Sequence, residues 1–261
     1  MQSNYGFVVP VYNHPHYLAD LISYLDSFHL PIVLVNDGSD DACSQILKAL
    51  AEQYSQIHLI EHEVNKGKGQ AVMTGLRAAY ELGLSHALQL DSDGQHCWDD
   101  IPKFIEQSHQ HPDAMVIGQP YFDASIPKKR LYGRYITHFW VWLNSLSFEI
   151  KDSMCGFRVY PLESTIKVLN SAKFQPRMGF DSEILVRLKW ENTPFINVPT
   201  PVVYPEQGIS HFHAWRDNLG LSKAHATLFM GMLIRLPKLL KQRGCSRLAE
   251  VLLYENEDKS L

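Results

Sequence analysis

The feature that most constrains this chain is a repeated unit in its first half: a short apolar run, a polar break, then a segment with helical periodicity. Residues 7–11 are apolar and β-branched and stop at Tyr12-Asn13-His14-Pro15. Leu18, Leu21, Ile22, Leu25 and Phe28 follow at the spacing of one helix face. Residues 31–35 predict a second strand, ended by Asn36-Asp37-Gly38-Ser39. Ser39 or Asp40 can then cap a helix that carries Cys43, Ile46, Leu47, Leu50 and Tyr54 on one face. A strand at 57–60, a helix at 68–82 and a strand at 86–90 come next. Asp91-Ser92-Asp93-Gly94 breaks that last strand, before a helix at 98–109 and a strand at 115–118. Parallel neighbours need a crossover long enough to hold a helix. The alternation therefore predicts an α/β fold, a Rossmann-like, mostly parallel sheet with helices on both faces. Ligands of such sheets sit beyond the carboxyl ends of the strands. Asn13, Asp37, Asp91 and Asp93 all fall at such ends.

The second half is less regular. Residues 131–147 read as an aromatic-rich helix with Tyr132, Tyr135, Phe139, Trp140 and Trp142. Residues 152–158 read as a polar loop entering a short strand, 181–190 as a helix, and 194–205 as extended and punctuated by prolines. A long helical region at 216–241 is expected to kink or break near Pro237. With 261 residues and 45% hydrophobic content, the chain can bury one large domain with a small appendage. The boundary is placed at 1–210 for the domain and 211–261 for a C-terminal helical appendage. A net charge of -4 argues against a nucleic-acid partner held by phosphate neutralisation. Cys43, Cys97, Cys155 and Cys245 form no C-x-x-C pair and read as reduced thiols, so a cytoplasmic location is expected. No signal peptide is expected from the N-terminus, and no apolar window approaches the ~20 residues of a bilayer span.

Chemistry concentrates in Asp91-Ser92-Asp93-Gly94-Gln95-His96. When a sugar leaves a nucleoside diphosphate, the charge on the leaving diphosphate must be neutralised, and a divalent ion clamped between carboxylates and phosphate oxygens does this. Two aspartates flanking one residue can reach one hard cation, and Gln95 offers a third oxygen. The bland alternative is a turn, since Asp, Ser and Gly all form turns; its place after an apolar strand favours the metal. Asp37 can accept hydrogen bonds from the N–H groups of a uracil or guanine, or lie beside a helix cap. Asn65-Lys66-Gly67-Lys68-Gly69-Gln70 opens a helix and can hold phosphates with help from Lys68, or serve as a plain glycine-rich loop. It matches neither G-x-x-x-x-G-K-[ST] nor G-x-G-x-x-G, which excludes the common triphosphatase and dinucleotide patterns.

Taken together, Pro10-Val-Tyr-Asn13, Asn36-Asp-Gly-Ser39, Asn65-Lys-Gly-Lys-Gly-Gln-Ala71, Asp91-Ser-Asp-Gly-Gln-His96 and Gly156-Phe-Arg158 resemble glycosyltransferase family 2 in content and order. The resemblance covers about residues 5–210 and is nearest to dolichol-phosphate mannosyltransferase-like members. It implies a GT-A fold, an inverting mechanism and a requirement for Mg²⁺ or Mn²⁺. By motif match, Asp37 would read the base, and Pro10, Tyr12 and Asn13 would line the nucleoside pocket. Lys68, Asp91, Ser92 and Asp93 would face the nucleotide sugar. Asp91, Asp93 and Gln95 would hold the metal, and Arg158 would face the sugar or a phosphate. One departure is Asn36, where the family usually has aspartate, and this leaves the base open.

Inversion at the anomeric carbon takes one in-line displacement, and a hydroxyl acceptor then needs a general base. Asp181, at the start of a helix, is the first candidate and Asp152 the reserve. An anionic lipid-phosphate acceptor needs none, and Asp181 would then orient substrate or cap its helix. In related enzymes the stretch Gly208–His213 lies near the donor diphosphate, which makes Ser210 a phosphate contact and His211 a metal contact. Zinc is not expected, because the His-x-His spacing recurs at 14/16 and 109/111 without cysteines or carboxylates around it. Residues 223–247 hold no acid and form a basic amphipathic stretch suited to a membrane surface or to the core. The expected activity is metal-dependent, inverting sugar transfer from a UDP- or GDP-sugar to a lipid or lipid-linked acceptor, on the inner face of the cytoplasmic membrane. Two rivals are a nucleotidyltransferase that makes the sugar nucleotide and a non-catalytic nucleotide-sugar binding protein.

Overall fold

The structure is a computed structural model. It describes residues 4–121, 128–202 and 214–257, with side chains at 4–121, 133–202 and 218–242. Seven strands form one sheet in the order β3-β2-β1-β4-β6-β5-β7. They are β1 (Tyr5–Val11), β2 (Ile32–Asn36), β3 (Ile57–Glu61), β4 (His86–Gln89), β5 (Met115–Tyr121), β6 (Arg158–Pro161) and β7 (Phe195–Pro201). All neighbours are parallel except β6, which runs antiparallel to both β4 and β5. The helices are α1 (Leu18–Asp26), α2 (Asp41–Gln53), α3 (Lys68–Glu81), α4 (Ile101–Gln110), α5 (Lys128–Ser145), α6 (Leu162–Ser171), α7 (Gly179–Trp190) and α8 (Ala214–Glu257).

The apolar runs become strands because both faces of the sheet are covered. Successive side chains of β1 alternate between two cores, as the pleat requires. Phe7, Val9 and Val11 pack with Leu18, Leu21 and Ile22 of α1, Leu47 of α2 and Phe104 of α4. Val8 points the other way, towards Val72 and Leu76 of α3 and Phe180 and Ile184 of α7. Gly75 permits that contact, since a Cβ there would lie 2.4 Å from Val8 Cγ1. Asp40 caps α2, its carboxylate accepting from the Cys43 N–H at 2.8 Å.

Two elements differ from expectation. Helix α6 was not anticipated: Leu162, Thr165, Ile166 and Leu169 are buried at helical spacing, but the β-branched residues among them mask the period. Helix α8 continues unbroken through Pro237. Pro237 and Leu233, four residues earlier, are both exposed. Water can therefore satisfy the carbonyl that a missing proline N–H leaves open. Leu228, Met232 and Leu239 of α8 are buried in the main core, and Ala224 is buried as well. Trp190 of α7 anchors this packing: Gly231 leaves room for its ring, Arg235 lies 4.7 Å over that ring, and its Nε1–H donates to the Asn144 carbonyl of α5.

Candidate functional site

The polar breaks after β1, β2 and β4 meet at the carboxyl edge of the sheet. After β1, Asn13 adopts φ 52°, a left-handed conformation that asparagine tolerates. Its Oδ1 accepts from the Asp40 N–H at 2.8 Å and its N–H donates to Ser39 Oγ at 3.1 Å. It thus ties the first break to the second. Pro10 is buried within β1, and Tyr12 sits half-buried at the rim.

Asp37 was expected to read a base; in the structure its carboxylate is engaged within the protein. Its carboxylate is buried and already takes four hydrogen-bonding partners: His62 Nδ1 at 2.7 Å, Gly67 N–H at 2.8 Å, Lys66 N–H at 2.9 Å and Asn65 Nδ2 at 3.0 Å. A carboxylate offers about four acceptor sites, and these contacts occupy them in the structure. Asp37 folds the 62–67 loop against the tip of β2. Gly38 (φ 68°) makes room for it, since a Cβ there would meet Val64 and Asn65 backbone atoms at 2.4 Å.

The tip of β4 is built differently. Gln95 N–H donates to Asp93 Oδ1 at 3.1 Å, closing a tight turn, and Ser92 is buried within it. Asp91 stands beside it with its Oδ2 2.9 Å from Lys68 Nζ and 3.4 Å from His96 Nε2. Lys68 also reaches Asp181 Oδ2 at 3.6 Å, so one ammonium lies between the first carboxylate of the acidic tip and the first residues of α7. Gly156 passes directly against Asp91: a Cβ at that position would fall 2.3 Å from Oδ2 and 2.6 Å from Oδ1. Gly67 and Gly69, which suggested a phosphate cradle, have a packing reason. A Cβ on either would strike the 175–180 segment, at Pro176 O (2.7 Å) and Phe180 Cβ (2.4 Å) respectively.

Three further expectations meet the structure. Arg158 does not face a ligand: it is fully buried. Its guanidinium donates to the carbonyls of Cys155 (2.7 Å), Ser153 (3.0 Å) and Asp181 (3.0 Å), and lies 3.5 Å from Asp181 Oδ1. It holds the 153–158 loop against α7. Asp152, the reserve base, is spent on structure. It takes a two-pronged contact from Arg134 (2.6 and 2.9 Å) and accepts from the Cys155 N–H at 2.7 Å. Ser210 and His211 lie outside the described residues.

Electrostatics mark the β4 tip as well. Burial opposes charge on Asp91, but the Lys68 ammonium and then His96 outweigh it and hold the carboxyl far below the ordinary range. Burial, and then the charge of Asp91, push the Asp93 carboxyl up. Burial opposes charge on His96 too, yet Asp91 and Cys155 raise it to about 10. Neither ring nitrogen of His96, nor Asp181 Oδ1, has a hydrogen-bond partner among the described residues, although all are buried. His96, quoted in the sequence motif without a role, and the double pairing of Lys68 are what sequence reasoning missed.

The mostly parallel seven-stranded sheet with one reversed strand is a GT-A fold. The glycosyl transferase family 2 model matches residues 7–168, and the chain belongs to this family. A UDP-N-acetylglucosamine–dolichyl-phosphate N-acetylglucosaminyltransferase from Methanococcus voltae is 30% identical over 220 residues, covering 78% of this chain and 87% of the relative. A dolichyl-phosphate β-glucosyltransferase from Trichomonas vaginalis is 31% identical, covering 69% of this chain and 60% of its own length. Glucosyl-3-phosphoglycerate synthase from Mycobacterium tuberculosis, in complex with Mn²⁺ and UDP-glucose, superposes with a TM-score of 0.64 at 14% identity. That match covers 88% of this chain and 79% of the other, and it shows the shared fold.

Proposed function

We propose that this chain transfers a hexosyl unit from a UDP-sugar to a lipid phosphate, with inversion and with Mg²⁺ or Mn²⁺. The observation that carries the proposal is the β4 tip, where Asp91 and Asp93 repel each other in a half-buried turn that Gly156 keeps free of a Cβ. Among the described residues no three His, Cys, Asp or Glu side chains converge as a ready-made cage. Mg²⁺ is commonly held by one or two carboxylates together with substrate phosphates, so the Asp91/Asp93 pair is enough on the protein side. The Asp91/Asp93 carboxylate pair fits such an ion, with the Gln95 side-chain carbonyl oxygen as a third protein ligand. When bound, the ion neutralises the charge that develops on the leaving diphosphate.

The chain's own residues do the rest. Pro10, Tyr12 and Asn13 form the nucleoside side of the rim, while Asp37 keeps the neighbouring loop in shape. Lys68 supplies a second positive charge next to Asp91. The names of the curated relatives support UDP and a polyprenyl-type phosphate as the partners. An oxygen of such a phosphate is already anionic and attacks the anomeric carbon opposite the diphosphate. The new C–O bond forms as the bond to the diphosphate breaks, and the diphosphate leaves with the electron pair. No proton has to move, so Asp181 acts by positioning Lys68 and not as a base.

A thermal-shift series with UDP, GDP and CDP, each with and without Mn²⁺, tests the donor half. A ligand at a hundredfold its Kd stabilises by roughly 2.7 kcal/mol. UDP with Mn²⁺ is expected to raise the unfolding temperature by several degrees, and UDP alone much less. An equal shift with and without Mn²⁺, or a shift with GDP alone, would reject the reading.

A further inference from the structure

Helices α5 and α8 share an apolar surface that nothing among the described residues covers. On α5, Tyr135, Ile136 and Phe139 are exposed, and on α8 Met230, Leu233 and Ile234 are exposed, Ile234 at 78%. The spacing within each set is that of one helix stripe. The two stripes are joined by ring contacts, Phe139 on Trp140 at 5.8 Å and Trp140 on Phe229 at 6.5 Å. On α8 the opposite face is already buried in the core through Leu228 and Met232. The helix is thus apolar on both sides, whereas a surface helix normally turns polar groups outward. Contiguous exposed apolar patches of this kind mark interaction surfaces.

Charge identifies the partner. No acidic residue occurs in 128–145 or in 218–249, while Lys223, Lys238 and Lys241 lie along the exposed part of α8, Lys238 within 3.5 Å of Glu191 at the end of α7. A second copy meeting this face through two-fold symmetry would set lysines of one copy near those of the other. An anionic lipid surface meets the apolar stripe with acyl chains and the lysines with headgroup phosphates. Among the described residues no helix is long and apolar enough to cross a membrane.

The surface also connects to the acidic tip. Arg134, on α5 one residue before Tyr135, grips Asp152 at 2.6 Å, and Asp152 holds the Cys155 N–H at 2.7 Å. Gly156 follows at once against Asp91. We infer that the α5–α8 face docks the enzyme flat on an anionic bilayer and holds the Asp91 rim at headgroup level. This rests on the reading that the acceptor is a lipid.

Because α8 is packed into the core, removing it would unfold more than the docking face, and exposed point changes are the cleaner test. The full chain is sedimented with vesicles of phosphatidylcholine alone and with about a third phosphatidylglycerol. Strong preference for the anionic vesicles, weakened by salt, is expected. The Ile136→Glu/Ile234→Glu variant should bind them about tenfold or more weakly. Lys238→Gln/Lys241→Gln should lose most of the anionic preference, and Ile46→Glu, on the distant α2, should bind as the parent does. Equal binding by the parent and the Ile136/Ile234 variant would overturn the inference, as would a parent that forms a dimer which this variant dissolves and that does not sediment. Transfer to a polyprenyl phosphate in detergent is measured in parallel. Transfer without vesicle binding rejects the docking face alone. Vesicle binding without transfer to the lipid phosphate rejects the acceptor reading and leaves the docking face supported.

Discussion

The tips of β2 and β4 each place an aspartate at the carboxyl edge of the same sheet, yet the two carboxylates live under opposite conditions. Asp37 is sealed by four partners, three of them from the loop at 65–67. Asp91 is held by side-chain cations, Lys68 and His96, that can rearrange, and it shares its turn with a second carboxylate. Two of the donors to Asp37 are backbone N–H groups, which cannot leave without unfolding their loop, whereas an ammonium on a flexible stem can move aside for a ligand. An acid after a strand is therefore a staple or a site according to who donates to it.

The sharpest way to break this contrast is Asp93→Ala. Transfer should fall by about two to three orders of magnitude, as for loss of a main group stabilising the leaving charge. The unfolding temperature without metal should hold or rise slightly, because burial and Asp91 already disfavour the Asp93 charge. Gly156→Ala comes next. Its Cβ would land on the Asp91 oxygens, and a displacement of that size at a reacting centre costs on the order of a hundredfold in turnover. Sugar transfer measured at saturating metal checks it, and near-parental turnover would mean that Asp91 is not critically placed. Asp37→Ala should act on stability instead. Leaving several buried donors unpaired costs about 2–4 kcal/mol, read as a fall in the denaturation midpoint. Unchanged stability with lost nucleotide binding would reverse the roles assigned to the two tips.

The smallest effect concerns pH and the α5–α8 seam. Burial pushes His225 down to about 4, from an ordinary value of 6.5. The unfolded chain then takes up a proton before the folded chain does. Stability is fully present above pH 6.5 and declines as the pH falls towards 4, by up to roughly 3 kcal/mol. His225→Gln should flatten that part of the pH profile of the melting temperature. An unchanged slope would place the acid sensitivity elsewhere, for example at buried His86 or His138, which burial also lowers.

Much of this was legible from the sequence where one segment carries its own signal. Strands β1 to β5 are apolar runs because helices cover both sheet faces, and the acidic break at Asp91-Ser92-Asp93 stands out between an apolar strand and a turn. What stayed hidden depends on partners distant along the chain. Nothing near Asp37 announces that Lys66 and Gly67 will return to it. Nothing near Arg158 announces that Asp181, 23 residues on, will help to enclose it. Gly67 and Gly69 looked like a phosphate cradle because a glycine needed for close packing against 175–180 is written with the same letter. The exposed apolar surface was half visible, in the acid-free stretch of α8, but its α5 half appears only once the two helices lie side by side.

The most direct test of the central claim is a transfer assay with radiolabelled UDP-sugars, a polyprenyl phosphate in detergent, and the purified chain with and without Mn²⁺. The account expects one UDP-sugar to pass its label into the organic-extractable lipid fraction, only with metal, with release of UDP. Label that stays in the aqueous phase, or transfer that is indifferent to metal, would contradict it.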